Sequence, residues 1–263
     1  MTPEVAARLA ELNADFYARF GEDFGESRPR LNPGVARILE SIPPGAAVID
    51  IGCGDAKVGR RLTARAPRAR YLGLDASAAL LARAWTLTEG AGVVPGRTLG
   101  RLTPGQLPGW PDAMPDVALC ALDLLGPDAE LVPAGQADWV VAFAVFHHIP
   151  GQDRRAAALA QWARWLCPGG HLALSCWQPQ RSPRLSRLSR PWAEAGLEDD
   201  ALEPGDRLIG WQRHGRNGLR YVHAVSPDEL DRATTQAGLR IETRFCADGH
   251  AGNFSDYVVC KRI

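Results

Sequence analysis

Three aspartates, two glycines and a pair of histidines are the residues of this 263-residue chain whose types and spacing point most directly to chemistry. Asp50-x-Gly52-x-Gly54 follows the apolar run 48–51 and precedes a helical pattern, so it reads as a ligand-binding turn between a strand and a helix. The glycines permit a tight turn and let the backbone approach a ligand, while N–H groups of the following helix face it. A dinucleotide fingerprint would carry a third glycine; Ala56 stands in its place. Asp75 lies 25 residues beyond Asp50, about where an acid meets ribose hydroxyls in such folds. The plainer alternative for Asp75 is a helix N-terminal acid stabilised by the macrodipole. Asp123 ends a third apolar run and is either an acid on the base side of a nucleoside or a loop acid. Acids at the ends of three strands suit a cofactor that carries positive charge and no phosphate. Cys53, Ala76 and Ala144, which flank these ends, join the expected cofactor contacts.

The histidines follow the longest apolar run, 140–146, in Ala144-Val145-Phe146-His147-His148. Ligands of open α/β sheets bind at the carboxyl ends of strands, so this segment edges the pocket. Adjacent histidines with no third ligand at helical spacing make a poor metal site, and no metal is expected. One ring is structural and the other faces substrate; His147 is assigned to the substrate.

The elements that must position these residues follow from the pattern. Val5, Leu9, Leu12, Phe16 and Phe20 form one apolar stripe on an N-terminal helix, which should run into a loop over 21–33. A short helix over 35–40 follows. Strands are expected at 48–51, 71–75, 117–122, 140–146 and 172–176, with helices at 57–65, 78–87 and 153–166 between them. That alternation indicates βαβ units and a parallel sheet. Residues 90–115 hold six glycines and five prolines, so an irregular inserted loop is expected there. A polar, arginine-rich stretch breaks the pattern at 177–222. A helix over 227–237 and a strand pair at 239–245 and 256–261 close the chain. The expected organisation is an N-terminal helical cap (1–44), a core (45–176), a substrate-side insertion (177–224) and closing elements of the core (225–263).

Composition sets outer limits. Formal net charge is zero, which gives the whole molecule no electrostatic bias toward nucleic acid or membrane. Only Lys57 and Lys261 among the 30 basic residues are lysine; with Ala, Gly and Pro also abundant, this reads as compositional bias. Six cysteines without CxxC spacing read as reduced thiols and not as a disulfide frame. No apolar run approaches the ~18 residues of a membrane span, and 1–11 has no signal-peptide core. A cytoplasmic location without membrane association is therefore expected.

With these residues placed, the chain resembles the class I S-adenosylmethionine (SAM)-dependent methyltransferases. Val48-Ile49-Asp50-Ile51-Gly52-Cys53-Gly54 is similar to their first motif and Leu74-Asp75-Ala76-Ser77 to their second-strand acid. Leu166-Cys167-Pro168-Gly169-Gly170-His171-Leu172 is similar to the turn before their fifth strand. The resemblance implies an α/β, Rossmann-like fold with a mostly parallel sheet closed by an antiparallel strand, SAM as cofactor, and methyl transfer as the activity. A narrower similarity, running through most of the chain, is to the wobble-uridine tRNA methyltransferases that esterify 5-carboxymethyluridine. It is carried by Ser27-Arg28-Pro29, Phe146-His147-His148 with Arg154-Arg155, Ser175-Cys176-Trp177 with Gln180, Trp211, Arg220-Tyr221-Val222-His223, Glu229-Leu230 and Gly252-Asn253-Phe254. Ala56 in place of a glycine and the long 90–115 segment depart from the pattern.

A carboxylate acceptor is already ionised and requires a cation to hold it. Arg220 and His223 are the expected acceptor residues, with Arg28 or Arg30 facing them, because a guanidinium fork fixes a carboxylate in one plane. Between 207 and 227 there are four arginines and no acid; Arg213 and Arg216 either track a phosphate backbone or belong to a solvated loop. The expected partner is a tRNA or a small-molecule acceptor, and a non-catalytic SAM-binding role is the third reading. The chain is expected to be monomeric, with an activating subunit as a further candidate partner.

Overall fold

A computed structural model of the chain describes residues 1–66, 68–90, 98–112 and 115–263. Eight strands form the main sheet: β1 (Ala47–Ile51), β2 (Arg70–Asp75), β3 (Leu99–Leu102), β4 (Val117–Ala121), β5 (Ala137–Phe143), β6 (Leu166–Trp177), and, after a smaller sheet, β10 (Leu239–Ala247) and β11 (Ser255–Arg262). Their order is β10-β11-β6-β5-β1-β2-β4-β3. Pairing is parallel from β6 through β3, and β11 runs antiparallel to both neighbours.

The strands read as continuous apolar runs because both faces are covered. Alternate residues enter two separate cores. Ile49, Leu72, Val140 and Leu172 meet α5 (Gln152–Trp165) and α7 (Pro227–Gln236) through Leu159, Trp162 and Leu230. Val48, Tyr71, Val141 and Ala173 meet α2 (Pro33–Leu39), α3 (Lys57–Arg65) and α4 (Ala78–Gly90) through Ile38, Leu62 and Ala84. The crossover helices thus bring the carboxyl ends of β1, β2, β4 and β5 to one edge, where a ligand site belongs.

Two expectations need correction. The first helix, α1 (Pro3–Glu26), does not stop at Gly21. Gly21 and Gly25 lie on the side packed against α4, where an added Cβ would meet Leu80 and Ser77 at 3.2 Å or Arg83 at 3.4 Å. These glycines serve close helix approach and leave the helix unbroken. The segment 90–115 is also not wholly irregular: residues 91–97, 113 and 114 lie outside the described residues, but β3 pairs with β4 as an edge strand, followed by a 3-10 turn at Pro104–Gly109. An edge position tolerates glycine, and Gly100 admits the ring of Pro115, which a Cβ would meet at 2.3 Å.

The stretch after β6 holds a short helix, α6 (Pro183–Arg187), and a three-stranded antiparallel sheet of β7 (Ser189–Arg190), β8 (Asp206–Arg213) and β9 (Arg216–His223). α1 packs on β9: Asn13 Nδ2 donates to Tyr221 O (3.1 Å) and Tyr221 N donates to Asn13 Oδ1 (2.9 Å). Gly218 leaves room for Phe16 and Phe20, which a Cβ would meet at 2.8–3.0 Å. Held this way, α1 forms a roof over the carboxyl ends of the main strands. Among the described residues no helix is long and apolar enough to cross a membrane.

Candidate active site

Between the α1 roof and the strand ends lies a cavity of about 780 Å³. Asp50, Gly52, Cys53, Gly54, Asp75, Ala76, Asp123 and Ala144 all line it, so the structure brings the expected cofactor residues together. Gly52 and Gly54 take φ of +61° and +56°, the left-handed region that favours glycine. At Gly52 a Cβ would also strike Val145 Cγ2 at 2.4 Å. Ala56 takes the same region at φ +55°, so the turn keeps its shape with alanine at a strained angle.

The acids at this end are tightly held. Asp75 Oδ2 accepts from Gly54 N and Oδ1 from Ser77 N, both at 2.8 Å; one carboxylate braces the glycine turn and the start of α4 together. Tyr71 Oη donates to Asp50 Oδ2 at 2.6 Å. Burial raises Asp50 to about 7, Tyr71 opposes the rise, and the charges of Asp75 and Asp55 add to it. Asp55 is flanked by Lys57 Nζ at 3.5 Å and Arg83 Nε at 3.8 Å. Asp123 Oδ1 accepts from Leu125 N at 3.0 Å and lines the cavity wall.

The other end is basic and aromatic. Arg28 lines the cavity, its Cζ 3.7 Å from the Phe24 ring centroid and 5.7 Å from that of Trp177. Burial and then the charge of Arg220 lower it to about 10. Arg220 lies behind this wall at 2% exposure. Its Cζ is 4.9, 5.0 and 5.5 Å from the ring centroids of Phe16, Phe24 and Trp177. Its side chain bonds Tyr17; among the described residues its Nε and Nη1 have no hydrogen-bond partner, and neither arginine forms an ion pair. Arg30 also lines the cavity and is exposed.

Of the two histidines, the structure brings His148 to the cavity and His147 behind it. Both sit in the 3-10 turn Phe146–His148, where three residues complete a turn and neighbouring side chains diverge. His147 is fully buried; Trp177 N donates to its Nδ1 at 3.2 Å, and among the described residues its Nε2 has no partner. His148 Nδ1 meets Tyr221 O at 2.9 Å, and its Nε2 meets Tyr17 Oη at 3.1 Å. Tyr17 escaped the sequence reading. A signal existed: Ala10, Ala14 and Ala18 put small residues beside Tyr17 on a helix face distinct from the apolar stripe, and that face lines the cavity.

His223 does not line the cavity. Its Nδ1 meets Asp206 Oδ1 at 2.7 Å and its Nε2 meets Glu229 Oε2 at 2.9 Å. Burial would lower its pKa, and the hydrogen bonds to Asp206 and Glu229 prevail and raise it. Arg155 joins the cluster at 2.6 Å from Glu229 and 2.7 Å from Glu203. Ligand atoms of Glu203, Asp206 and His223 lie within 4.8 Å of one another, a grouping able to hold a metal ion. Both His223 nitrogens already face carboxylates, and Asp206 accepts from Tyr221 Oη at 2.8 Å. The cluster is thus satisfied as an ionic lock between the small sheet, α5 and α7.

Arg213 and Arg216 turn back onto α1. Arg213 donates to Asp23 O and lies 3.4 Å from Glu26 Oε2; Arg216 Nη1 is 2.9 Å from Asp23 Oδ2 and Nη2 donates to Arg19 O at 2.7 Å. They fasten the roof to the small sheet.

Comparison with known proteins agrees with this geometry. A family model described as a methyltransferase domain matches residues 24–244. The chain is 24% identical over 185 residues to the tRNA (carboxymethyluridine(34)-5-O)-methyltransferase of Arabidopsis thaliana, covering 68% of this chain and 35% of that protein. It is 31% identical over 166 residues to the trans-aconitate 2-methyltransferase of Methylobacterium nodulans, covering 63% and 50%. The chain therefore spans half or less of these relatives. Among solved structures, 1,6-didemethyltoxoflavin-N1-methyltransferase of Burkholderia thailandensis, with 1,6-didemethyltoxoflavin and S-adenosylhomocysteine bound, superposes with a TM-score of 0.60 at 16% identity, covering 100% of this chain and 91% of that one. A SAM-dependent methyltransferase of Methanosarcina mazei gives 0.63 at 16% identity, covering 89% and 98%.

Proposed function

The chain belongs to the methyltransferase-domain family, and from that premise we propose that it transfers a methyl group from SAM to a small acceptor carrying a carboxylate. Asp75 would accept from the ribose hydroxyls with the lone pairs its backbone bonds leave free. Asp50 would face the cationic amino acid part, and Gly52 and Gly54 would let the backbone approach. The cavity of about 780 Å³ has room for a cofactor of this size and a small acceptor together. Bound there, SAM supplies an electrophilic methyl group on a sulfonium.

The observation that carries the acceptor class is the Arg28–Arg220 couple set among Phe24 and Trp177, for which the described residues supply no ion-pair partner. Half-buried Arg28 and buried Arg220, with no acid among the described residues in salt-bridge reach, repel each other, and an incoming carboxylate relieves that repulsion. Arg28 is the residue that would touch it; Arg220 reinforces the positive potential from behind the aromatic wall. The α1 roof favours a small molecule over a folded RNA. The tRNA reading is the second one, supported by the similarity around Ser27-Arg28-Pro29 and by the Arabidopsis relative. Against it, Arg213 and Arg216 are engaged by α1.

The test is methyl transfer from labelled SAM to a panel holding trans-aconitate, 4-hydroxybenzoate, the same acids capped as amides, and hypomodified tRNA. Transfer to free acids and none to their amides is expected. Label entering tRNA alone would replace this reading with the second one.

A further inference from the structure

We propose that Tyr17 and His148 form a proton relay at the acceptor end, Tyr17 Oη taking a proton from a neutral O–H or N–H of the acceptor as it passes its own to His148 Nε2. This rests on the reading above: the carboxylate anchors at Arg28, and the methylated atom is a weakly acidic hydroxyl or ring nitrogen on the same molecule.

The geometry fixes the direction of the relay. Tyr221 O can only accept, so the proton of the neutral His148 ring resides on Nδ1, 2.9 Å away. The lone pair is then on Nε2, and the Tyr17 hydroxyl 3.1 Å from it must donate. With its proton committed to His148, Tyr17 Oη accepts a hydrogen bond from the Arg220 side chain with one lone pair and keeps the other for the acceptor; Tyr17 and His148 both line the cavity. The arrangement is anchored from outside. Asn13, one helical turn before Tyr17, bonds the backbone of Tyr221 on both its N and O and donates to His148 O at 3.3 Å. One asparagine therefore keeps the helix, the strand and the histidine turn in register. This is the support that a proton-transfer pair needs.

The reaction balances without a further reagent. The acceptor O–H or N–H bond breaks, its proton goes to Tyr17 Oη, and the Tyr17 proton goes to His148 Nε2. The freed pair on oxygen or nitrogen forms the bond to the methyl carbon, and sulfur keeps the electrons of the bond it loses. Positive charge leaves the sulfur and arrives on the imidazole, so the net charge of the site is unchanged. Burial, then the charge of Arg220, holds His148 down to about 3 without ligand, so the resting ring is neutral and a weak base, and it takes the proton only while a bound anion raises its basicity. An anion seated at Arg28 offsets those cations during transfer; when the product leaves with it, the ring sheds its proton to water.

Two measurements test this. The first is NMR of the full chain, labelled with 15N-histidine and saturated with S-adenosylhomocysteine. His148 should be neutral at pH 7 with its proton on Nδ1, and its Nε2 resonance should move in Tyr17→Phe. A proton on Nε2, or a resonance indifferent to Tyr17→Phe, would overturn the relay whatever the acceptor. The second is single-turnover transfer with 4-hydroxybenzoate, or with another panel member that is labelled. Tyr17→Phe and His148→Asn, which keeps a donor for Tyr221 O, should each slow transfer by about 100-fold while S-adenosylhomocysteine affinity stays as in the parent. The product should be the ether or N-methyl compound. Unchanged rates, or a methyl ester on the carboxylate, would overturn the relay while leaving the carboxylate-acceptor reading intact. Equal transfer to acids and their amides, still slowed in both variants, would sink that reading and leave the relay standing.

Discussion

The two ends of the cavity are opposites in charge and in construction. At one end four aspartates, Asp50, Asp55, Asp75 and Asp123, meet backbone amides, a tyrosine hydroxyl and two flanking cations. At the other, Arg28 and the hidden Arg220 stand among aromatic rings, and among the described residues no acid pairs with either. The acid end is satisfied internally, apart from lone pairs that a ribose and an ammonium would use. The basic end is incomplete, because a buried guanidinium without a counter-ion is costly. On the proposed reading the difference locates specificity: the acid end would take a cofactor it is already shaped for, and the basic end an anion that completes it.

The sharpest way to break that division is to exchange effects between the ends. Asp75→Ala removes the shared acceptor of Gly54 N and Ser77 N together with the proposed ribose partner. Affinity for S-adenosylhomocysteine should fall by about 3 kcal/mol, roughly 100-fold, as read by calorimetry, with a thermal melt to show the domain still folds. Arg28→Met should do the reverse, slowing transfer to a carboxylate acceptor by about 10- to 100-fold while leaving that affinity within a factor of about two. If Arg28→Met weakened S-adenosylhomocysteine as much as Asp75→Ala does, the cavity would not divide as described.

The acid end was legible in the sequence because its parts are local. A parallel sheet brings the carboxyl ends of β1 and β2 together whatever else the chain does, so Asp50, Gly52, Gly54 and Asp75 need only their own strands and turns. The acceptor end draws on α1, the turn after β5, the end of β6 and β9, elements far apart in the chain. Which of two adjacent histidines faces inward depends on a 3-10 turn entered through Ala144 at φ +58°, and no apolar pattern encodes that. Arg220 was singled out by type, yet its place behind Phe24 and Trp177 is a tertiary fact. His223 looked like an acceptor residue because its two carboxylate partners, Asp206 and Glu229, reach it only through the small sheet and α7. The glycines of α1 misled for a related reason: glycine breaks helices by propensity, and only the presence of α4 explains why these two do not.

A smaller effect separates the ends by pH. Asp50, raised to about 7 by burial against the help of Tyr71 and with the repulsion of its acid neighbours, loses its proton as the pH rises through that value. The ionised form suits a cationic ligand, so SAM affinity should increase by about tenfold from pH 6 to pH 8, with one proton released on binding at the lower pH. Isothermal titration in buffers of different ionisation enthalpy reads that proton directly. Asp50→Asn should flatten the profile. A profile that is already flat in the parent would mean the carboxylate does not sense the cofactor.

The smallest expected effect concerns the arginines that resembled a nucleic-acid track. Arg216 pairs with Asp23 at 2.9 Å with about half of its side chain exposed (52%), and such a pair contributes little in water, about 0.2–1 kcal/mol. Arg216→Ala should therefore shift the thermal midpoint by only a few degrees and leave methyl transfer to small acids unchanged, since the residue lies outside the cavity lining. Its other bond, to Arg19 O at 2.7 Å, ties α1 to β9, so what the variant loses should show in the thermal midpoint and not in KM or kcat. A phosphate-tracking arginine behaves differently: removing it weakens binding of any tRNA and lowers the slope of log affinity against log salt by about one. Measuring tRNA binding of the parent chain and Arg216→Ala at several salt concentrations separates these roles. A slope that drops in the variant would move Arg216 from the roof to an RNA surface, and the basic end of the cavity would then have to be read as the terminus of a longer acceptor track.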